Sequence, residues 1–324
     1  MAVPQVDPAS ALVFIINAAA GASDEATRRD AIEHALAGSG RKAELLFCHA
    51  RDMDRVARQA AHTAAQHAGA VIAVGGDGTI NTVARAAHAA GCAMGVVAQG
   101  TFNYFARTHG IPAAPAEAVR LLLDAVVQPV QVAAINDHLF LVNASVGLYP
   151  DLLQDREAFK RRFGRSRWVA FAAGCATLLR AQRSLRMHIE LGGTERDIRA
   201  LTLFVGNNRL QLEQLGAQPE DTVAGTPGAG SIAAVMLRPV GTLAMLRLML
   251  HGALGTLGEH NGVERFEFHQ LVLRPTLALG RQRVKVAFDG EVAMLQTPLD
   301  FRILARPLYL MQARPPSDPA LAIA

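Results

Sequence analysis

Residues 12 to 126 alternate short, unbroken apolar runs with segments of helical period, and few folds accommodate that rhythm. Leu12 to Ile16 (LVFII), Ala43 to Phe47, Ala70 to Val74 (AVIAV) and Met94 to Val97 read as strands; the most apolar of them suit burial on both faces. Asp24 to Leu36 sets Ala31, Ile32, Ala35 and Leu36 on one helical face, with Gly38 as a stop. Asp52 to Ala68 repeats Met53, Val56, Ala57, Ala60, Ala61 and Ala64 at helical spacing. Ile80, Val83, Ala84 and Ala87 mark a third helix that ends near Gly91, and Glu117 to Val126 reads as a fourth. Strand–helix alternation of this kind predicts a parallel sheet covered by helices on both faces.

After Pro129 the pattern changes. Gln131–Ile135, His138–Asn143, Leu185–Leu191, Ile198–Val205, Ile232–Leu237, Arg265–His269, Val284–Phe288, Val292–Gln296 and Phe301–Leu304 read as strands, most joined by turns too short for a crossover helix. Two helical insertions, Pro150 to Arg180 and Gly241 to Leu250, interrupt them, and Leu210 to Gly230 is a loop rich in Gly, Pro and Gln. The expected fold is α/β: an N-terminal parallel-sheet domain (1–129), then a C-terminal antiparallel β-sandwich-like domain with helical insertions (130–313). The last segment of the second domain is free to return to the first, and 314–324 reads as a flexible tail.

Composition narrows the classes. The chain has 324 residues, 51% of them hydrophobic and 19% charged, which disfavours disorder along its length. Mean hydropathy is +0.19, yet the longest stretch without formal charge, Ala86 to Ala106, is broken by His88, Gln99, Asn103 and three glycines. A secretory leader is poorly supported, because Asp7 precedes the apolar run Ala11 to Ala20 and the first basic residue is Arg28. Cys48, Cys92 and Cys175 are widely spaced, as in a reduced cytoplasmic protein. No H-E-x-x-H pattern indicates zinc, and no G-x-S-x-G elbow indicates an esterase.

The sharpest local feature is Gly75-Gly76-Asp77-Gly78-Thr79, set between a buried strand and a helix. Glycines there allow a tight turn and close approach to a ligand, and a helix start offers N–H groups to a phosphate. Asp77 beside phosphates points to Mg²⁺, which bridges acid and phosphate oxygens. The plainer reading is a strand-to-helix turn with Asp77 as a helix cap. A dinucleotide fingerprint is disfavoured, because Gly76-x-Gly78-x-x-Asn81 lacks its third glycine. Gln99-Gly100-Thr101-Phe102-Asn103 and Asn17-Ala18-Ala19-Ala20-Gly21 follow other strands on the same sheet edge. Thr101 and Asn103 suit hydrogen bonding to a nucleotide, although Thr101 equally suits a helix cap. Asp289-Gly290-Glu291 reads either as an ordinary hairpin turn or as a catalytic element. In the second reading Glu291 is a general base and Asp289 holds metal or orients the acceptor.

In the order GGDGT, GTxN, Asn143-Ala144-Ser145-x-Gly147 and DGE, the chain resembles the diacylglycerol kinase catalytic-domain family, which includes bacterial lipid kinases and sphingosine kinase-like proteins. The resemblance runs over roughly residues 12 to 310. It implies an α/β nucleotide domain and a β-sandwich domain with the site in the cleft between them, ATP and Mg²⁺ as cofactors, and a lipid hydroxyl as acceptor. By matching positions, Asn17 to Gly21, Gly75 to Asn81 and Thr101 would bind ATP. Asp77 would sit at the phosphates and metal, and Glu291 would take the hydroxyl proton with Asp289 beside it. The first loop reads NAAAG where Asn-Pro-x-Ser-Gly is usual, and the second GTFNY where Gly-Thr-Gly-Asn-Asp is common. The residues before Ser231 lack the Asp-Gly pair of a structural Mg²⁺ site. Two alternatives stand beside this reading: a small-molecule kinase of the NAD kinase type, and a nucleotide- or lipid-binding regulator without catalysis.

Arg156 to Trp168 interleaves Arg156, Lys160, Arg161, Arg162, Arg165 and Arg167 with Phe159, Phe163 and Trp168. A solvated helix face is the default, and peripheral contact with an anionic inner membrane surface is the functional reading. Lys and Arg number 32 against 28 Asp and Glu, a formal charge of +4, which argues against nucleic acid. The sequence neither requires nor excludes a homo-oligomer.

Overall fold

The computed structural model describes residues 2–19, 25–147, 185–191, 193–207, 230–238, 263–276 and 282–314. Gly21, the segment Arg156 to Trp168, both expected helical insertions, most of the Leu210 to Gly230 loop and the tail beyond Arg314 lie outside the described residues. The chain divides into one unit of Met1–Gln131 with Ala305–Ala324, and a second of Val132–Leu304.

The first unit runs β1 (Leu12–Asn17), α1 (Glu25–Leu36), β2 (Ala43–Cys48), α2 (Ala50–Gln66), β3 (Ala70–Gly75), α3 (Asp77–Ala90), β4 (Ala93–Ala98), α4 (Tyr104–Thr108), α5 (Pro115–Leu123) and β5 (Val126–Val130). The second contains β6 (Ala133–Ile135), β7 (His138–Phe140), β8 (Asn143–Gly147), β9 (Leu185–Leu191), β10 (Thr194–Ala200), β11 (Thr202–Gly206), β12 (Ile232–Leu237), β13 (Val263–Phe268), β14 (Gln270–Pro275), β15 (Arg283–Phe288), β16 (Glu291–Gln296) and β17 (Leu299–Ile303). The chain then re-enters the first unit as β18 (Leu308–Gln312).

In the first unit the sheet order is β2-β1-β3-β4-β18-β5, parallel except for the edge strand β5. Every residue of β3 and β4 is buried, as continuous apolar runs between two helical layers require. Helices α2 and α3 pack together, as do α1 and α5, and right-handed crossovers from this strand order put the two pairs on opposite faces. The expected helix to Val126 stops at Leu123, and β5 follows although it contains Pro129. An edge strand tolerates a residue with no N–H, and Pro129 stands opposite Tyr309 there. The returning chain is secured at the end of α3: Arg306 donates to the carbonyls of His88 and Ala89, and the His88 ring meets the Arg306 carbonyl at 2.9 Å.

In the second unit the described strands form two antiparallel sheets, β10-β9-β14-β17-β6-β7 and β13-β12-β11-β8-β15-β16. Their facing side chains make one core, among them Met187, Ile189, Leu271 and Phe301 from the first sheet and Val146, Leu203, Met236 and Val286 from the second. Two runs expected as single strands are each divided. His138–Asn143 breaks after Phe140, and Ile198–Val205 breaks at Leu201. At both places the chain leaves one sheet for the other. The crossing residues Leu141, Val142 and Leu201 remain buried, so the apolar pattern continues across the break. Gly147 makes the second crossing feasible: its φ is +105°, and a Cβ there would lie 2.4 Å from the Leu201 carbonyl oxygen.

Candidate functional site

Because β2 and β3 lie on either side of β1, the sheet of the first unit has a topological switch point between β1 and β3. The carboxyl ends of strands at such a point are where open α/β sheets bind ligands. Asn17 ends β1 and Gly75 ends β3. The loops that follow them are linked: Asn17 Nδ2 donates to Thr79 Oγ1 at 3.3 Å, and Asn17 Oδ1 accepts the Ala19 N–H at 3.0 Å. Asn17 and Gly75–Thr79, taken separately from the sequence, thus form one constellation. Asn81, one turn into α3, is buried.

Gly76 is the N-cap of the 14-residue helix α3 and brings no side-chain hydrogen bond to it. The N-cap position therefore leaves the first N–H groups of α3 open to an anion, save that of Asp77, which its own carboxylate accepts. Asp77 is the first helical residue rather than the cap, and its carboxylate turns to the second glycine loop. Oδ2 accepts the Asn103 N–H at 3.2 Å and Oδ1 the Tyr104 N–H at 3.1 Å. The five-residue helix α4 thus starts at Asn103, with φ +49° and no cap from its own side chain, and its first amides are met by Asp77. Thr101, expected as an alternative cap, does not hold that position. Asn103 instead closes the loop on itself, accepting from Gly100 N and donating to Gly100 O, both at 2.9 Å. The two loops approach so closely that a Cβ on Gly100 would lie 3.0 Å from the Cα of Gly76 and 2.7 Å from Asn103 Oδ1. Burial raises the Asp77 carboxyl above its ordinary range, against the lowering pull of the amides it accepts.

Phe102 and Tyr104, which replace the usual Gly and Asp, are 49% and 38% exposed. Their rings stack in parallel with centroids 5.5 Å apart.

In the second unit, Asp289-Gly290 is a two-residue turn with φ +46° and +85°, closing β15 on β16 with Phe288 opposite Glu291. The hairpin expectation holds, and it is not the whole of the geometry. The Asp289 carboxylate accepts three successive amides at the crossing between β7 and β8: Leu141 at 2.7 Å, Val142 at 2.8 Å and Asn143 at 3.0 Å. Glu291 opens the edge strand β16 and is exposed.

Sequence reasoning missed Arg28, which is buried in α1 and donates to the carbonyls of Asn17 and Ala18. The signal was its register: Arg28, Ile32 and Leu36 follow one another at four-residue intervals along the buried stripe of α1. Among the described residues, no group of three or more His, Cys, Asp and Glu side chains gathers as a metal cage, and no helix is long and apolar enough to cross a membrane. Mg²⁺ held by one or two carboxylates and substrate phosphates needs no such cage, so Asp77 at a helix start with glycine as its N-cap fits a metal–triphosphate ligand.

Comparison with known proteins agrees with the motifs. Residues 11–135 match the model for the diacylglycerol kinase catalytic domain. A protein of Serratia proteamaculans named "Probable lipid kinase YegS-like" is 38% identical over 81 residues, which are 24% of this chain and 27% of that protein. A protein of the same name from Pseudomonas aeruginosa is 43% identical over 79 residues, 24% of this chain and 26% of that one. The matches to these curated relatives span about a quarter of their length. The crystal structure of a diacylglycerol kinase from Bacillus anthracis superposes with a TM-score of 0.64 over 99% of both chains at 20% identity, a likeness of fold.

Proposed function

From this likeness to diacylglycerol kinases, we propose that the protein is an ATP-dependent lipid kinase that transfers the γ-phosphoryl group to a lipid hydroxyl. The observation that carries the proposal is the joined set of loops at the strand ends of the first unit. There a helix start with glycine as its N-cap lies at the switch point beside a carboxylate.

In this reading Gly75, Gly76, Gly78 and Thr79 receive the phosphates, with Asn17, Asn81, Thr101 and Asn103 at the nucleotide. The Asp77 carboxylate accepts the amides of Asn103, Tyr104 and Asp77 itself and keeps acceptor capacity for a metal. Mg²⁺ supplies charge neutralisation on the transferring phosphoryl group. Glu291 takes the proton of the lipid hydroxyl, an exposed carboxylate on a fixed strand end. We assign Asp289 to holding the turn that presents Glu291 rather than to the metal, since three backbone amides already meet its two oxygens. Phosphoryl transfer relies on positioning and charge, which suits loops fixed by side-chain tethers.

The test is incubation with γ-labelled ATP, Mg²⁺ and a panel of lipids alongside NAD, repeated with Glu291→Ala and Asp77→Ala. Label in a lipid, lost in both variants, is the expected result. Label in NAD moves the activity to a small-molecule kinase, and ATP binding without transfer to any acceptor makes the protein a regulator. Membrane contact through Arg156 to Trp168 is part of the proposal. Charge reversal at Arg161, Arg162 and Arg165 should weaken binding to anionic liposomes, and unchanged binding removes that part.

A further inference from the structure

A guanidinium shut inside the first unit has no role in the reading above. Arg28 is 5% exposed, although a buried charge persists only where its donors are met. Its Nη1 donates to the Asn17 carbonyl at 2.8 Å and its Nη2 to the Ala18 carbonyl at 2.9 Å. The Phe47 ring of β2 lies 5.8 Å from the guanidinium carbon. The two acceptors are consecutive carbonyls of the loop that leaves β1. The neighbouring groups are fixed as well: Ala18 N donates to the Cys48 carbonyl at 2.9 Å, and the Asn17 side chain spans Ala19 N and Thr79 Oγ1.

The loop after β1 has little stiffness built into its sequence. It reads Asn-Ala-Ala-Ala-Gly, with no proline to fix a φ angle and no hydroxyl to hydrogen-bond the turn. A loop beside a bound triphosphate must also keep its carbonyl oxygens off the anion. A planar fork with two parallel donors meets both demands, and a single ammonium cannot hold two carbonyls in the same way.

We propose that Arg28 is a positioning residue for the nucleotide. Its guanidinium draws the Asn17 and Ala18 carbonyls inward and keeps Asn17–Ala19 in the conformation that accepts the nucleotide. The inference rests on the ATP reading and adds a residue to it. A loop that occupies its competent conformation for only a fraction of the time weakens apparent affinity by that fraction.

The experiment measures ATP·Mg²⁺ binding to the full chain by calorimetry, with wild type, Arg28→Lys and Arg28→Ala, beside thermal unfolding of each. Arg28→Lys is expected to fold and to bind ATP about tenfold more weakly. Added methylguanidinium should restore affinity to Arg28→Ala. Lipid-phosphorylation kinetics on Arg28→Lys should show the KM for ATP raised, with kcat and the KM for lipid little changed. A lowered melting temperature with wild-type affinity for ATP would make Arg28 merely structural and overturn the proposal, as would Arg28→Ala that methylguanidinium refolds without restoring affinity. A wild-type chain that binds no ATP removes the nucleotide reading itself, a result distinct from equal binding by wild type and variants.

Discussion

The Asp289 carboxylate accepts the Val142 N–H at 2.8 Å across 147 residues of chain. With Leu141 and Asn143 on either side, it ties the tip of the β15–β16 hairpin to the place where the chain passes from one sheet of the second unit to the other. The turn that carries Glu291 is therefore built into the sandwich rather than left as a free tip.

Asp289→Gly separates this tether from backbone strain, because glycine is at ease at φ +46°. The variant relaxes the turn and leaves three amides without their acceptor. A net loss of about 2–3 kcal/mol is expected, since hydrogen bonds to a charged group are worth more than neutral ones. Urea denaturation measures it, and a variant as stable as wild type would remove the tether from the account.

Glu291→Gln should behave in the opposite way. Glu291 is exposed at the start of an edge strand, so its substitution leaves the melting temperature near that of wild type. Loss of a general base should lower kcat roughly 100- to 10,000-fold. Full lipid-kinase activity in this variant would move the base to another residue.

The strand ends of the first unit were legible because glycine and period are local signals. β3, its glycine turn and α3 stand in the sequence much as they stand in the fold. What escaped depends on distance along the chain. The crossings at Leu141–Val142 and at Leu201 are buried on both sides, so hydropathy passed through them without interruption and two strands read as one. Likewise, Asp77 read either as a carboxylate at phosphates and metal or as a cap for its own helix, not as a tie to the second loop. It meets the amides of Asn103 and Tyr104 because Gly76 and Gly100 let two loops come together, a contact no periodicity encodes.

Asp77 also gives a pH signature. Burial raises its carboxyl above the ordinary value of 3.8. The folded state therefore holds the proton more tightly than the unfolded chain, and stability falls as pH rises from the ordinary value through the raised one. Asp77→Asn should flatten that part of the stability profile. If the ionised carboxylate holds Mg²⁺, ATP·Mg²⁺ binding should weaken on acidification at a pH above the usual Asp range. Calorimetry across pH tests this, and an acid limb at or below 3.8 would separate Asp77 from the metal.

His109 gives a signature of the other sign. It caps the end of α4, and burial pushes its imidazole down to about 4. Gln312 of the returning strand β18 lies with its amide nitrogen 3.1 Å from Nδ1, which as an acceptor favours the neutral ring, and the Phe105 ring packs at 4.5 Å. The unfolded chain binds the proton near the ordinary value of 6.5. Stability is therefore intact above that pH and is lost as pH falls toward 4, by at most about 3 kcal/mol. His109→Gln keeps a polar partner for Gln312 without titrating, so its stability should be nearly level over the window in which wild type declines. Parallel decline in both proteins, followed by urea unfolding at pH 7 and pH 5, would exclude His109 as the source.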